Sequence, residues 1–134
     1  MPAPSVGGMA VAGDLSEHFS RREFACKGCR GDCQISQPAP APRLVSVLEA
    51  VRRQYGRAVH VTSGYRCEAY NSRIGGAASS QHLVAAAADI IVQGVPAGEV
   101  YEWMDKWHFG GLGQYKTFTH VDVRQARVRW AAPQ

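Results

Sequence analysis

The segment 79–92, SSQHLVAAAADIIV, places a histidine and a carboxylate, His82 and Asp89, on either side of an alanine run. On one straight helix, residues seven positions apart would lie about 10 Å apart along the axis. If His82 and Asp89 are ligands of one zinc ion, however, both must bring a donor atom to about 2 Å from that ion. The β-branched run 90–92 is typical of a buried strand. We therefore predict a loop or short turn at His82 and a chain reversal that brings it close to Asp89.

A second polar pair lies near the end of the chain, in the segment 110–124, GGLGQYKTFTHVDVR. There His120 and Asp122 alternate with Val121 and Val123, the period-two pattern of a strand that turns successive side chains to opposite faces. The two polar residues are therefore expected to share a face. Two histidines and an aspartate from the two segments would supply the three protein ligands of an open catalytic zinc site, with a fourth position left for water.

Short motifs follow one another in a definite order through most of the chain. They are SGYR at 63–66, YN at 70–71, GGA and SQH between 75 and 82, Asp89, GLGQY at 111–115 and FTHVDVR at 118–124. In this order and spacing they resemble the zinc D-alanyl-D-alanine carboxypeptidase family. That family shares its fold with the hedgehog signalling domain and includes murein peptidases of bacteria and phages. The resemblance covers roughly residues 19–130.

The resemblance implies roles for individual residues. The metal ligands of the family correspond to His82, Asp89 and His120, and the implied metal is Zn²⁺. The arginine that grips the substrate carboxylate, sixteen residues before the first ligand histidine, corresponds to Arg66. Ser80 lies in the loop beside the first ligand, and we expect it to contact substrate. Arg66 would hold a carboxylate bidentately and so place the peptide bond over the metal.

The proton-transfer group departs from the family pattern. Some members carry a glutamate three residues before the last histidine and others a histidine five residues before it, whereas this chain has Thr117 and Tyr115 there. Asp122 then becomes the leading candidate for the general base, or for the group that orients a ligand histidine. Tyr115 is a candidate substrate-binding residue that donates a hydrogen bond to the tetrahedral oxyanion. Related murein endopeptidases share this tyrosine and the final His-x-Asp.

Four cysteines, Cys26, Cys29, Cys33 and Cys67, offer a further constraint on the fold. The first three lie close together in CKGCRGDC, and the fourth adjoins Arg66. Two disulfides, one tetrahedral structural metal site and free thiols are all compatible with this spacing. Either kind of crosslink would brace the loop that carries the arginine.

Two further patterns predict the N-terminal half of the fold. Ser20 and Glu23 form a capping box that opens a short helix. Apolar residues then recur at steps of three and four through 43–55, and Gly56 follows where a helix-terminating glycine belongs. We expect the apolar stripe of this helix to pack into the core.

A later helix is predicted over 95–107, with Pro96 near its start. One face would carry Val100, Trp103, Met104 and Trp107, which we interpret as core. We expect a charge on His108 to complement the C-terminal end of this helix. With strands at 58–62, near 90–92 and over 118–123, the predicted fold is α+β, a small antiparallel sheet flanked by helices.

Length and composition limit the domain count. With 134 residues, 46% of them hydrophobic, the chain can bury a single core. We predict a flexible lead-in at 1–17 and one zinc-peptidase-like domain at 18–134. No apolar run approaches the roughly 18 residues of a membrane span, and the first residues make a poor secretory signal. The net charge of +4 is scattered, without the aromatic-interleaved basic stripe of a nucleic-acid binder.

The predicted function is a zinc metallopeptidase that hydrolyses peptidoglycan stem peptides or crosslinks. We expect a monomer with a peptide substrate, without a nucleic-acid partner and without membrane insertion. A mildly cationic surface would favour an anionic polymer such as the bacterial cell wall, where an exported or phage-delivered enzyme acts. The alternative is a non-catalytic, metal-containing module that binds the cell wall, because hedgehog relatives use this fold for recognition.

Overall fold

A computed structural model describes residues 13–28 and 37–132 of the chain. The α-helices are α1 (Pro42–Tyr55), α2 (Glu68–Arg73) and α3 (Ala97–Asp105). The β-strands are β1 (Val59–Ser63), β2 (Ala87–Val92), β3 (Gly111–Gln114), β4 (Thr119–Asp122) and β5 (Val128–Ala131). Short 3-10 helices lie at Arg21–Phe24 and Gln81–Val84. The predicted α+β class is confirmed, and none of the helices in the described ranges is long and apolar enough to cross a bilayer.

The strands form one sheet in the order β1-β2-β4-β3-β5. The pairs β1/β2, β2/β4 and β3/β4 are antiparallel, but β5 lies parallel to β3 at the edge. The prediction of an antiparallel sheet is therefore wrong at this edge, and the sheet is mixed. The chain reverses after β4 and passes beyond β3, so β5 runs opposite to β4 and in the same direction as β3.

The sheet has one apolar face and one polar face, as the side chains of β2 and β4 show. In β2, Ala88, Ile90 and Val92 face the core, and Val121 joins them from β4. Asp89 points to the opposite face because successive strand residues alternate. The sheet therefore buries its apolar face under the helices and presents its polar side chains on the other side.

Helix α1 covers the apolar face of the sheet and ends as its sequence predicts. Leu44, Leu48 and Val51 are fully buried. Gly56 terminates the helix in the left-handed region at φ 62°, and its N–H donates to the carbonyl oxygen of Arg52. A residue with a side chain would be strained there, which is why the glycine marks the boundary.

The N-terminal part of the fold begins before the predicted domain boundary. The capping box is present, since the Glu23 carboxylate accepts from the Ser20 N–H at 2.7 Å. The Ser16 hydroxyl donates to Glu49 of α1 at 2.6 Å, and the N–H of Leu15 donates to the Phe19 carbonyl at 3.0 Å. Residues 13–17 are thus attached to the domain rather than forming part of a lead-in, while residues 1–12 lie outside the described ranges.

The end of α3 differs from its prediction. Val100 and Met104 are buried, but the helix ends at Asp105 and Trp107 is 41% exposed. His108 is buried rather than placed at the C-terminal end of α3: its ring Nε2–H donates to the backbone carbonyl of Asp122 at 2.8 Å. Burial lowers the pKa of His108 and so favours the neutral ring. The residue ties α3 to β4.

Candidate metal centre

Three side chains that are distant in sequence converge on the polar face of the sheet. His82, Asp89 and His120 are all buried, and one potential ligand atom from each lies within 4.8 Å of the others. Asp89 Oδ1 is 3.3 Å from His82 Nε2 and 3.1 Å from His120 Nδ1. Ligands at about 2 Å from one ion in a tetrahedral arrangement are separated by roughly 3.3 Å. The spacing therefore suits a shared metal ion.

Strand pairing explains why two of the three meet. In the antiparallel β2/β4 pair, Asp89 lies directly opposite His120. Residues that face each other across a ladder project from the same side of a sheet, with Cβ atoms about 5 Å apart. His82 arrives from the 3-10 helix before β2, and the Ser80 hydroxyl caps this helix by accepting the His82 N–H at 3.1 Å. The predicted turn and chain reversal are both present.

The ring of His82 is oriented by the backbone. Its Nδ1 lies 2.7 Å from the carbonyl oxygen of Gly64, so Nδ1 carries the proton and donates it. The opposite nitrogen, Nε2, is then a lone-pair donor directed at the Asp89 carboxylate. It is the one buried side-chain N or O atom in the described residues that lacks a hydrogen-bond partner. Such an atom requires an explanation, and a bound cation supplies one.

The ring of His120 is oriented by a carboxylate. Its Nε2 lies 2.8 Å from Asp122 Oδ2, so that Nδ1 turns toward Asp89. Asp122 is fully buried and firmly held: Oδ1 accepts from the Gly111 N–H at 2.9 Å, and the Arg124 guanidinium donates to both carboxylate oxygens at 2.7 and 2.8 Å. These contacts favour the orienting role of Asp122 over the role of general base.

The ionisation of the carboxylates follows from these contacts. Burial opposes the charged form of Asp122, but hydrogen bonds from His120 and Arg124 outweigh it and hold the pKa of Asp122 far below its usual value. Burial likewise opposes ionisation of Asp89, but the two histidines lower its pKa to about 2. The pKa of His120 is raised because Asp122 and Asp89 outweigh its desolvation. Both carboxylates are therefore anionic at neutral pH.

The residues present fit a divalent metal. Two imidazole nitrogens and one carboxylate oxygen form the donor set of catalytic zinc centres, which keep an open position. Each histidine also donates its other ring N–H to an oxygen, from Gly64 or Asp122, as metal-bound histidines usually do. His82, Asp89 and His120 would hold the ion.

Arg66 lies beside the ligands but already makes several protein contacts. Its Nη2 donates to the second oxygen of Asp89 at 3.1 Å, Nε to the Ser63 hydroxyl at 3.0 Å and Nη1 to the side-chain oxygen of Asn71 at 3.3 Å. A guanidinium carries more N–H groups than these contacts use, so some remain for a substrate. Arg66 therefore orients Asp89 as well as lining the cleft.

An open cleft of about 440 Å³ leads to the three ligands. Arg66, Ser80 and Tyr115, the residues predicted to bind substrate, all line it. The Tyr115 ring is stacked on Phe118 with centroids 4.4 Å apart. The structure thus brings these three residues, which are distant in sequence, around one opening.

Trp130 and Arg124 line the cleft and contact the site, although neither of them was assigned a functional role from the sequence. Trp130 of β5 lies against His120, with ring centroids 4.9 Å apart, and donates its Nε1–H to the Tyr115 hydroxyl at 3.1 Å. Arg124 packs over the same indole, with Cζ 5.5 Å from the ring centroid. Arg124 could have been suggested by its position two residues after Asp122. Trp130 has no local signal, because it reaches the site only through strand pairing.

The predicted cysteine cluster is described in part. Cys26 and Cys67 have free thiols, and their sulfur atoms are 3.7 Å apart. Cys29 and Cys33 lie outside the described residues. The two described cysteines are thus brought together, next to the loop that carries Arg66.

The family comparison agrees with this geometry. Residues 17–122 match the family described as Peptidase M15, and this range contains the three candidate ligands and Asp122. No curated protein was found to match the chain. Peptidases of this family are in general zinc-dependent, in agreement with the donor set in the cleft. The chain belongs to the peptidase M15 family.

Proposed function

We propose that this chain is a zinc-dependent peptidase that hydrolyses stem peptides or crosslinks of peptidoglycan, as a monomer acting on the bacterial cell wall. The observation that carries the proposal is the buried Nε2 of His82, which has no hydrogen-bond partner among the described residues and lies 3.3 Å from Asp89 Oδ1 in the cluster with His120. In the tautomer that the Gly64 carbonyl fixes, this nitrogen faces the Asp89 oxygen at 3.3 Å with no proton between them, which costs about 1–3 kcal/mol. A metal ion removes that cost.

The ligand set gives the site its chemistry. A zinc ion held by His82, Asp89 and His120 would supply Lewis acidity toward a peptide carbonyl and would make water a nucleophile near neutral pH. Asp122 holds the proton on Nε2 of His120, and the Gly64 carbonyl holds the proton on Nδ1 of His82, so both rings present lone pairs inward. The tautomers of both imidazole rings are therefore fixed before the substrate binds, which avoids reorganisation of the site during the reaction.

Tyr115 is placed to stabilise negative charge on the substrate. Its hydroxyl oxygen accepts a hydrogen bond from Trp130, and within the described part of the chain its own proton has no acceptor and can be donated into the cleft. Addition of water to a peptide carbonyl creates an oxyanion, and a preorganised donor at that position lowers the barrier. We assign Tyr115 this catalytic role.

The charge of the cleft supports an anionic peptide as substrate. Arg66 and Arg124 both line it, and both retain N–H groups beyond those used in contacts with Asp89 and Asp122. Each arginine neutralises one carboxylate, so a bound divalent ion would leave the site positive. Peptidoglycan stem peptides carry free carboxylates, which a guanidinium fork binds well.

The test combines metal analysis with product identification. Purified protein would be stripped with a chelator, reloaded with zinc, and incubated with cell-wall sacculi, and the released fragments would be identified by mass spectrometry. We expect about one zinc ion per chain and soluble peptide products. His120→Ala should lower both zinc content and cleavage by more than roughly 100-fold, since losing a ligand costs more than losing its outer partner.

His60→Ala is the matched control, because His60 is an exposed histidine on β1. It should leave zinc content and cleavage unchanged. Retention of zinc and cleavage in the His120→Ala protein would contradict the assignment. Zinc-dependent retention on sacculi without released peptides would instead identify a wall-binding module. Activity restored only by ferrous iron would show a different metal on the same donors.

A further inference from the structure

Two cysteines from distant parts of the chain lie in direct contact. Cys26 follows the first 3-10 helix and Cys67 precedes α2, and their sulfur atoms are 3.7 Å apart although 41 positions separate them in sequence. Both are free thiols. A disulfide bond requires a separation of about 2.05 Å, so the sulfurs need to approach by roughly 1.7 Å.

The backbones on either side of the pair are already held together. The N–H of Tyr65 donates to the carbonyl oxygen of Phe24 at 2.7 Å. Between these segments, a Cβ on Gly64 would lie 2.6 Å from Phe24 Cα, so only a glycine permits their close approach. Cys67 is further fixed because its sulfur accepts the Tyr70 N–H at 3.4 Å. These backbone contacts therefore hold the two thiols next to each other.

We propose that Cys26 and Cys67 form a disulfide that locks the loop carrying Arg66 to the N-terminal 3-10 helix. The pairing does not depend on the peptidase activity. It selects one connectivity among those that four cysteines allow. An extracytoplasmic site of action would supply the oxidising conditions in which such bonds persist.

The chemistry is a thiol–disulfide exchange with a small-molecule disulfide such as oxidised glutathione. Cys67 is buried and Cys26 is half-buried, so the thiolate of Cys26 reacts first. It attacks one sulfur of the oxidant, which releases one thiol and leaves a mixed disulfide. The Cys67 thiolate then attacks the Cys26 sulfur and expels the second thiol. The two cysteines lose two protons and two electrons, and the oxidant gains them.

The bond would act on the cleft through the residue next to Cys67. The N–H of Arg66 donates to the His82 carbonyl at 3.1 Å, and its guanidinium pairs with Asp89. Fixing Cys67 to Cys26 therefore restrains the segment between β1 and α2, which carries this arginine. We expect slower amide hydrogen exchange at Tyr65 and Arg66 in the oxidised protein. To open this segment, the segment that contains Cys26 would have to move with it.

The decisive measurement is peptide mapping after oxidation. The full chain would be incubated with oxidised glutathione, alkylated without reduction, digested, and analysed by mass spectrometry. We expect a Cys26–Cys67 crosslinked peptide and a melting temperature roughly 10 °C above that of the reduced protein. Hydrogen exchange would be followed in the same two samples, so the comparison requires no substitution.

Two variants separate the proposed pair from other pairings. The double variant Cys29→Ser/Cys33→Ser should still form the crosslink and show the same rise in melting temperature. Cys67→Ser should abolish both effects of oxidation. Three results would overturn the proposal. The first is a bond from Cys26 to Cys29 or Cys33, and the second is a Cys67 thiol that is still alkylated when the oxidised protein is placed in a denaturant. The third is a second zinc ion bound through the cysteines. None of these outcomes bears on whether the His-Asp-His site cleaves peptides.

Discussion

The indole Nε1 of Trp130 donates a hydrogen bond to the hydroxyl oxygen of Tyr115 at 3.1 Å. An indole nitrogen can only donate, so the phenol must accept and is left with its own proton to give to another group. Stacking on Phe118 fixes the tyrosine ring, and the indole lies so close to Gly113 that a Cβ there would be 2.4 Å from it. Trp130 is thus a positioning residue for the proposed oxyanion donor.

Trp130→Phe removes the indole N–H and retains an aromatic ring. We expect kcat for muropeptide cleavage to fall by about 10-fold, with KM and zinc content unchanged, because the Tyr115 hydroxyl loses its orientation. Tyr115→Phe removes the donor itself and should lower kcat by roughly 100-fold or more. Steady-state kinetics with parallel metal analysis tests both. A fall in kcat for Tyr115→Phe but not for Trp130→Phe would refute the positioning role.

Asp122 is predicted to act through His120 rather than on the substrate. Asp122→Asn should weaken zinc binding by about 10–100-fold, because an amide no longer enforces the same proton position on the ring. Competition with a chromogenic chelator measures this affinity. Asp105→Asn is the matched control, because Asp105 is also an aspartate paired with arginines, Arg127 and Arg129. It should leave the zinc affinity unchanged. Equal zinc affinity in the Asp122→Asn and wild-type proteins would argue against the orienting role.

Gly111 leaves room for the Asp122 carboxylate. A Cβ at this position would lie 2.2 Å from Oδ2 of Asp122, so Gly111→Ala should displace the carboxylate from His120 and weaken zinc binding. Gly98→Ala is the control, because its Cβ would meet only the Gln114 side chain at 3.6 Å. That helical substitution should raise stability by up to about 1 kcal/mol. Chelator competition and thermal unfolding of both variants distinguish a local clash from a general effect.

Glu49 gives a pH-dependent contribution to stability. It is buried on α1 and accepts hydrogen bonds from the Ser16 hydroxyl at 2.6 Å and from both the backbone N–H and the ring of His18, at 2.7 and 2.8 Å. Burial opposes its charge, but these contacts outweigh the desolvation and lower the pKa of Glu49 below its usual value. The folded state therefore holds the carboxylate ionised more strongly than the unfolded state does.

Glu49→Gln should lower the free energy of unfolding by about 2 kcal/mol at pH 7. A lowered folded-state pKa contributes stability above the unfolded-state pKa and loses it as the pH falls through the folded-state pKa. The difference between wild type and variant should therefore shrink as the pH is lowered from about 5 to about 3. Urea unfolding across this range measures it. Exposed Glu102→Gln should change stability by less than about 0.5 kcal/mol at any of these values.

Local patterns predicted the local structure well where one periodicity dominated. The capping box at Ser20, the apolar stripe that ends at Gly56 and the alternation of His120 and Asp122 are all present. Each depends on residues a few positions apart, whose relative directions are set by helix or strand geometry alone. The end of α3 was less predictable, because tertiary contacts decided the burial of His108 and the exposure of Trp107.

The sequence by itself determined the donor atoms, the strand alternation and the family resemblance. Only the tertiary structure decided that Asp89 lies opposite His120, that Trp130 reaches Tyr115 and that Cys67 touches Cys26. Strand register and the path of the chain between strands depend on packing across the whole sheet. A one-residue slip would turn Asp89 into the core and separate the ligands. The identities of the functional groups are therefore encoded in the local sequence, whereas their convergence on one site depends on the fold.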